Sequence, residues 1–291
     1  MSTSLEELTI SHPCFSVGAK SNKGRVHLPV SPGCNIHCNF CNRKLNNIDQ
    51  RPGATAAIIA PHEAAAMVRK AVALCPAIAV AGVAGPGDTL ATPYALETFR
   101  LIRAEFPGII KCMSTNGLLL PDFADEIIEV GIDSLTVTVN AVDPTIQAQI
   151  CESITYHGKR YEGREAAEIL IRNQLAGIKR VAAAGITIKV NTVLIPEINA
   201  HHVPCVAKTV SEAGAKLYNI IPLLPQHKLA WCSAPGCELI SKTRQEAETH
   251  IKVFRHCQRC RADAAGVPGG VDVSKALYIR PVQLENTFSH G

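Results

Sequence analysis

The chain has 291 residues, 47% hydrophobic and only 4% aromatic, so a large core is available from Ala, Val, Ile and Leu, and global disorder is excluded. A net charge of +4 comes from 29 basic and 25 acidic residues spread along the chain. They form neither a nucleic-acid stripe nor a polybasic tail, so neither nucleic acid nor a membrane is expected as a partner. The opening stretch, MSTSLEELTISHPC, is acidic and lacks an apolar run, and the most apolar segment, residues 71–84, contains a proline and a glycine. A membrane span needs about 20 apolar residues, so a cytoplasmic protein without a secretion signal is expected. Thiols stay reduced there, so the 12 cysteines point to metal or cluster ligation more than to disulfides.

The first β-rich run is Arg25–Ser31. A helix is predicted over Pro61–Cys75, where apolar residues recur at helical spacing among alanines. Then come run Ile78–Gly85, helix Pro93–Glu105, run Lys111–Gly117, helix Asp122–Val130 and run Ser134–Asn140. Helix Gly163–Ala184, run Thr187–Leu194, helix Ala200–Ala213 and run Leu217–Leu224 complete the series. The runs are continuously apolar, which suits parallel strands buried on both faces. Strand–helix alternation predicts right-handed βαβ units. About six such units make an α/β fold of the partial, open TIM-barrel kind. Three parts are expected: an N-terminal extension over 1–24, the barrel over 25–224, and a C-terminal extension over 225–291. Both extensions carry Cys and His and are expected to fold over the barrel mouth. The mouth would gather the polar strand ends SPGC, AGPGD, STNG, VNAVD, VNT and IIPL, because barrel sites lie at the C-terminal ends of strands.

Behind the first run stand Cys34, Cys38 and Cys41, a C-x3-C-x2-C loop whose thiolates can reach three corners of one cuboidal cluster. Three protein ligands leave one iron for a small molecule, and Gly33 allows close backbone approach. A zinc site completed by His37 or a distant residue is the competing reading. This triad resembles that of the radical S-adenosylmethionine (SAM) superfamily. The resemblance implies the radical SAM fold and a [4Fe–4S] cluster whose open iron chelates the amino and carboxylate groups of SAM. Gly85, Gly87 and Asp88 end the second run where that family has a glycine-rich motif for the SAM amino group, although PGD alone is a common turn. Thr115, Asn116, Asn140, Asp143 and Asn191 offer short amides, hydroxyls and a carboxylate for the rest of SAM; capping and turn roles compete for each.

Outside the shared core lie His12-Pro13-Cys14, Cys112 in KCMSTNGL, and Cys257 and Cys260 in CQRCRADAAG. With CNIHCNFCNRK, AGPGDTLA, VNTVLIPEIN and NIIPLLPQ they resemble the NifB family over about residues 12–266, in its short form without a NifX-like domain. The resemblance implies nitrogenase cofactor biosynthesis, for nitrogen fixation. Two auxiliary [4Fe–4S] clusters would fuse with a SAM-derived carbide and sulfur into an eight-iron precursor. SAM, a reductant, a cluster donor and a product-accepting carrier protein would be the partners. His12, Cys14, Cys112, Cys257 and Cys260 are the expected auxiliary ligands; no general acid or base is singled out. The alternatives are another radical SAM enzyme with auxiliary clusters and a non-catalytic cluster carrier. One departure stands out: family members often carry a Cys and a Glu between the CNRK run and RPG, where this chain reads LNNIDQ, with Asn47 and Asp49 near those places. Cys75, Cys151 and Cys205 read as packing residues, Cys232 and Cys237 as flanking a Pro-Gly loop, and Tyr156–Tyr161 as a basic loop.

Overall fold

The computed structural model describes residues 4–42 and 44–278; Arg43 of the CNRK run lies outside them. Two short helices, α1 (Leu5–Ser11) and α2 (Val17–Asn22), precede strand β1 (Gly24–His27). A capping box starts α1: Ser4 Oγ accepts from the Glu7 amide, and the Glu7 carboxylate accepts from the Ser4 amide. The cysteine loop holds a short strand, β2 (Ile36–Cys38). The repeat continues through α3 (Pro61–Leu74), β3 (Ile78–Val83), α4 (Tyr94–Glu105), β4 (Ile110–Thr115), α5 (Leu120–Val130) and β5 (Ser134–Thr138). An insertion of α6 (Pro144–Ile150), β6 (Cys151–Tyr156) and β7 (Lys159–Glu162) separates it from α7 (Gly163–Ala183) and β8 (Thr187–Leu194). Then follow α8 (Val203–Glu212), β9 (Leu217–Pro222), α9 (Cys237–Glu248), β10 (Ala265–Gly266) and α10 (Ser274–Leu277).

The main sheet has the order β10-β1-β3-β4-β5-β8-β9. Every pairing is parallel except that of the edge strand β10 with β1, so the six expected runs form the six parallel strands. Most expected runs extend past the observed strands, as at Val83 against Gly85. Their Gly- and Asn-rich tips leave the ladder to line the mouth.

Strand residues alternate between two environments. Ala81, Met113, Leu135, Val137, Ile188, Val190, Tyr218 and Ile220 pack against the helices in the main core. Met113, Leu135 and Ile188 are fully buried, each contributing about 1.5–3 kcal/mol. Between them, Gly82, Cys112, Ser114, Thr136, Lys189, Asn191 and Asn219 turn to the concave side. The inside of this barrel is therefore a site rather than a second core. Helices α5 and α7 approach closely, so that a Cβ on Gly177 would lie 2.5 Å from Leu120 Cγ.

Two expectations need correction. The N-terminal extension does not cover the mouth: Leu8 and Phe15 pack with Val80, Ile110, Leu217 and Phe254, at or near the N-terminal ends of strands, and close the opposite end. In the C-terminal extension, Leu229 and Cys232 do pack beside Phe40 near the mouth. An apolar strand bottom left open would expose the residues that α1 covers. The basic loop at Tyr156–Tyr161 is the turn and flank of a β-hairpin, with positive φ at His157 and Gly158 (48° and 75°), as a tight two-residue turn requires. That hairpin pairs with β2, matching Ile36 to Ile154 and Cys38 to Cys151. Sequence missed it because β7, KRYE, is largely exposed and has no apolar run.

Candidate functional site

A cleft of about 240 Å³ opens at the C-terminal ends of the strands, and Cys34, Cys38 and Cys41 all line it. Cys38 is held by the hairpin, and the Cys41 amide donates to the Cys38 carbonyl at 3.0 Å. The loop before the triad is tied to the second strand end. The Gly87 amide donates to Ser31 O (2.7 Å) and the Asp88 amide to Gly33 O (2.8 Å). The approach is so close that a Cβ on Gly87 would stand 1.8 Å from Gly33 O. Gly85 has φ +120° and backs onto Gly53 Cα.

The buried Asp88 carboxylate, expected to face a ligand ammonium, accepts instead from the Thr115 hydroxyl (3.0 and 3.1 Å), the Asn116 amide (2.5 Å) and the Leu90 amide (3.0 Å). It braces the end of β4 while still lining the cleft. Braced this way, Asn116 donates to Asn35 Oδ1 at 2.7 Å and lies 3.9 Å from Cys34 Sγ. Asn140 also lines the cleft; its Oδ1 accepts from the Val193 amide. Asn191 reaches the cleft with its Oδ1 accepting from Asn219. Asp143 is the exception: it is exposed, and its carboxylate caps α6 by accepting from the Thr145 and Ile146 amides, which also hold it below the usual carboxylate range. Gln147, Gln174, Arg51 and Arg259 line the cleft unannounced. Gln174 donates to Asn116 O and Thr138 O, leaving its Oε1 buried without a partner among the described residues. A single glutamine on an apolar helix face carries no sequence signal that separates this role from solvation.

Beneath the cleft, and sharing Pro52, Ala84, Ser114, Asn191 and Ile221 with it, lies an inner cavity of about 90 Å³. His12, Cys14, Cys112, Cys257 and Cys260 all line it, so residues from three distant segments meet at one cavity. Burial raises the Cys14 thiol to about 12 and pushes Cys112 upward, so both are neutral at pH 7 in the unloaded protein. Ligation must displace their protons.

Of the three histidines that line this cavity, His12, His27 and His256, the first two differ in their partners. The Cys14 amide donates to His12 Nδ1 (3.1 Å), so neutral His12 carries its proton on Nε2, which is buried without a partner among the described residues. His27 Nδ1 lies 2.7 Å from the Arg261 carbonyl, which can only accept. That fixes the His27 proton on Nδ1 and leaves the Nε2 lone pair free for ligation. Burial lowers both; His27 falls to about 4, so both rings are neutral at pH 7. Sequence reading missed His27 because it sits inside an apolar strand.

Lys189 projects from β8 into the same cavity. Burial opposes its ammonium, yet the sulfurs around it, Cys14 foremost, carry its pKa above the ordinary value. Arg25 is also present, bonded to Gly266 O (2.6 Å) and 3.2 Å from Cys260 Sγ. Among the described residues, no group of three or more His, Cys, Asp or Glu is gathered around a single metal-ion position. In a cuboidal cluster each thiolate binds its own iron, and the ligands stand farther apart.

The departing loop turns elsewhere. Asp49 accepts from Asn46 Nδ2 and Arg51 Nε, both at 3.2 Å, while Asn47 faces an outer pocket. Cys75 and Cys151 are buried, as packing residues should be, but Cys205 is exposed on α8. Cys232 is buried beside Leu229, and Cys237 is exposed.

Residues 28–210 match the Radical SAM superfamily model. The chain is 44% identical over 262 residues to FeMo cofactor biosynthesis protein NifB of Methanocaldococcus jannaschii, covering 89% of this chain and 87% of the relative. This chain belongs to the NifB family of radical SAM proteins. The NifB of Methanocaldococcus infernus is 43% identical, with 92% and 89% covered. That of Klebsiella pneumoniae is 41% identical, but only 57% of it is covered. Among solved structures, a radical SAM methyltransferase from Sphaerobacter thermophilus shares the fold at TM-score 0.59 and 17% identity, over 79% of this chain and 65% of that one. Membership of a radical SAM family implies a [4Fe–4S] cluster and SAM. The upper cleft fits them, with three thiols on one wall and polar strand ends on the other. Among the described residues, no helix is long and apolar enough to cross a membrane.

Proposed function

We propose that this chain builds the eight-iron, carbide-centred precursor of the nitrogenase cofactor from two [4Fe–4S] substrate clusters, a SAM-derived carbon and added sulfur. The observation that carries the reading is the direct adjoining of a three-thiol cleft and an inner cavity with four further thiols. Cys34, Cys38 and Cys41 hold the cluster that, when bound, supplies the electron for SAM cleavage. Gly85 and Gly87 bring the second strand end against the triad loop, and Asp88 fixes Thr115 and Asn116 beside it. Asn140 and Asn191 present their amides to the polar parts of SAM.

Cys14, Cys112, Cys257 and Cys260 receive the substrate clusters, with an imidazole from His27 or His12. His27 is the better placed, since its tautomer already frees Nε2. Soft thiolates suit iron–sulfur substrates. The donors are fewer than the eight that two fully ligated clusters would use, which favours later release. A reductant, a cluster donor and a product-accepting carrier complete the set of partners. A cytoplasmic setting belongs to the proposal, because thiols that are to take up clusters must stay reduced.

Anaerobic reconstitution tests it. We expect about twelve irons per chain, from three four-iron clusters, together with 5′-deoxyadenosine formation and transfer of labelled methyl carbon into the cluster. SAM cleavage without carbon incorporation would favour another radical SAM enzyme with auxiliary clusters. Cluster binding without 5′-deoxyadenosine would favour a carrier.

A further inference from the structure

Lys189 is 7% exposed and points into a cavity walled by Cys14, Cys112, Cys257 and Cys260. Among the described residues no hydrogen bond or ion pair to a carboxylate holds it, and its Nζ lies 6.0 Å from the centroid of the Phe15 ring. The other buried lysine, Lys111, behaves differently, pairing with the Asp133 carboxylate at 2.8 Å. Arg25, in the same cavity, donates to the Gly266 carbonyl and lies 3.2 Å from Cys260 Sγ, at the edge of the thiol wall. A buried ammonium without a counter-ion costs several kcal/mol, and residues of this kind are retained where a ligand supplies the missing charge. No carboxylate lines this cavity among the described residues. An iron–sulfur cluster bound through thiolates is anionic and would fill that gap.

We propose that Lys189 is the internal counter-cation that seats the anionic iron–sulfur substrate between Cys14, Cys112, Cys257 and Cys260. The proposal rests on the reading that the inner cavity receives such a substrate. Lys189 is a positioning residue: β8 delivers a fixed positive charge to a thiol-lined wall, while the thiols arrive from three separate segments. The charge favours thiolate over thiol, holds the cluster against loss, and stabilises its reduced, more negative form.

The test uses the full chain, reconstituted anaerobically with ferrous iron and sulfide, as wild type, Lys189→Met and Lys189→Arg. Three quantities are measured: the rate of iron loss to a ferrous chelator, the midpoint potential of the auxiliary signal by electron paramagnetic resonance, and the melting temperature before reconstitution. Lys189→Met is expected to lose auxiliary iron about tenfold faster or more and to show a lower midpoint potential. Lys189→Arg is expected to retain most of the wild-type behaviour. Before reconstitution, Lys189→Met is expected to melt higher than wild type, because a lone buried charge has been removed. Wild-type release rate and potential in Lys189→Met would overturn the proposal. So would a lower melting temperature in both variants with no rescue by arginine, which marks a structural role. Wild-type protein that takes up only the triad's iron would overturn the reading of the inner cavity itself, a result distinct from the other two.

Discussion

Replacing Gly87 with alanine probes the tie between the triad loop and the second strand end. The added Cβ would lie 1.8 Å from Gly33 O and 2.5 Å from Gly33 C, both backbone atoms that no rotamer change can move. The two segments must part by more than an ångström. Parting breaks Gly87 N–Ser31 O (2.7 Å) and Asp88 N–Gly33 O (2.8 Å). Each such bond contributes about 0.5–1.5 kcal/mol, and forced overlap adds about 1–3 kcal/mol. The sum is about 2–6 kcal/mol, much of the stability of a typical domain. Because Asp88 also braces Thr115 and Asn116, the triad should lose its register as well. Urea unfolding of the unloaded protein measures the first effect, and iron uptake by the triad with SAM cleavage measures the second. Gly18→Ala is the matched control: nothing lies within 4 Å of its Cβ, and it sits inside α2, so a gain of about 0.5–1 kcal/mol is expected. Gly87→Ala within about 0.5 kcal/mol of wild type, with full triad loading, would refute the reasoning.

Gly177→Ala should cost about 1–3 kcal/mol by driving Leu120 out of the α5–α7 contact, read by the urea midpoint. Asp133→Asn, which leaves the buried Lys111 ammonium without its 2.8 Å partner, should cost about 3–5 kcal/mol; a loss under about 1 kcal/mol would mean the pair is effectively solvated. His27, depressed by burial to about 4, binds its proton more readily unfolded than folded. Its stability contribution is therefore present above its ordinary pKa of about 6.5 and is lost as pH falls toward 4, by roughly 3 kcal/mol. Unfolding of the unloaded protein between pH 7.5 and 4 should show this slope, and His27→Gln should flatten it. Cys34→Ala should abolish SAM cleavage while auxiliary iron remains, whereas Cys257→Ser should lower auxiliary iron and leave triad iron in place; iron counting with product assay separates the two.

Much of the scaffold was legible in the amino-acid order. Apolar runs at strand length alternating with Ala-rich helical segments dictate six parallel strands, because each run must bury both faces. Three cysteines at spacings of four and three suit ligation of one cluster, and their place behind the first strand marks the cleft. Cys14, Cys112, Cys257 and Cys260 were visible as motifs, though not as neighbours. Tertiary structure decided what hydropathy cannot encode. Which side of a strand faces inward determines whether Lys189 is a solvated charge or a buried cation among thiols, and periodicity reads both alike. The proton position on His27 depends on the Arg261 carbonyl, 234 residues away. The hairpin that grips Cys38 depends on pairing to a three-residue strand, too short to announce itself. The capping of Asp143, the bracing by Asp88 and the closure of the barrel floor by α1 have the same cause. Each depends on where a polar atom finds its partner after the chain has folded, and local sequence constrains only the residue type, not the partner.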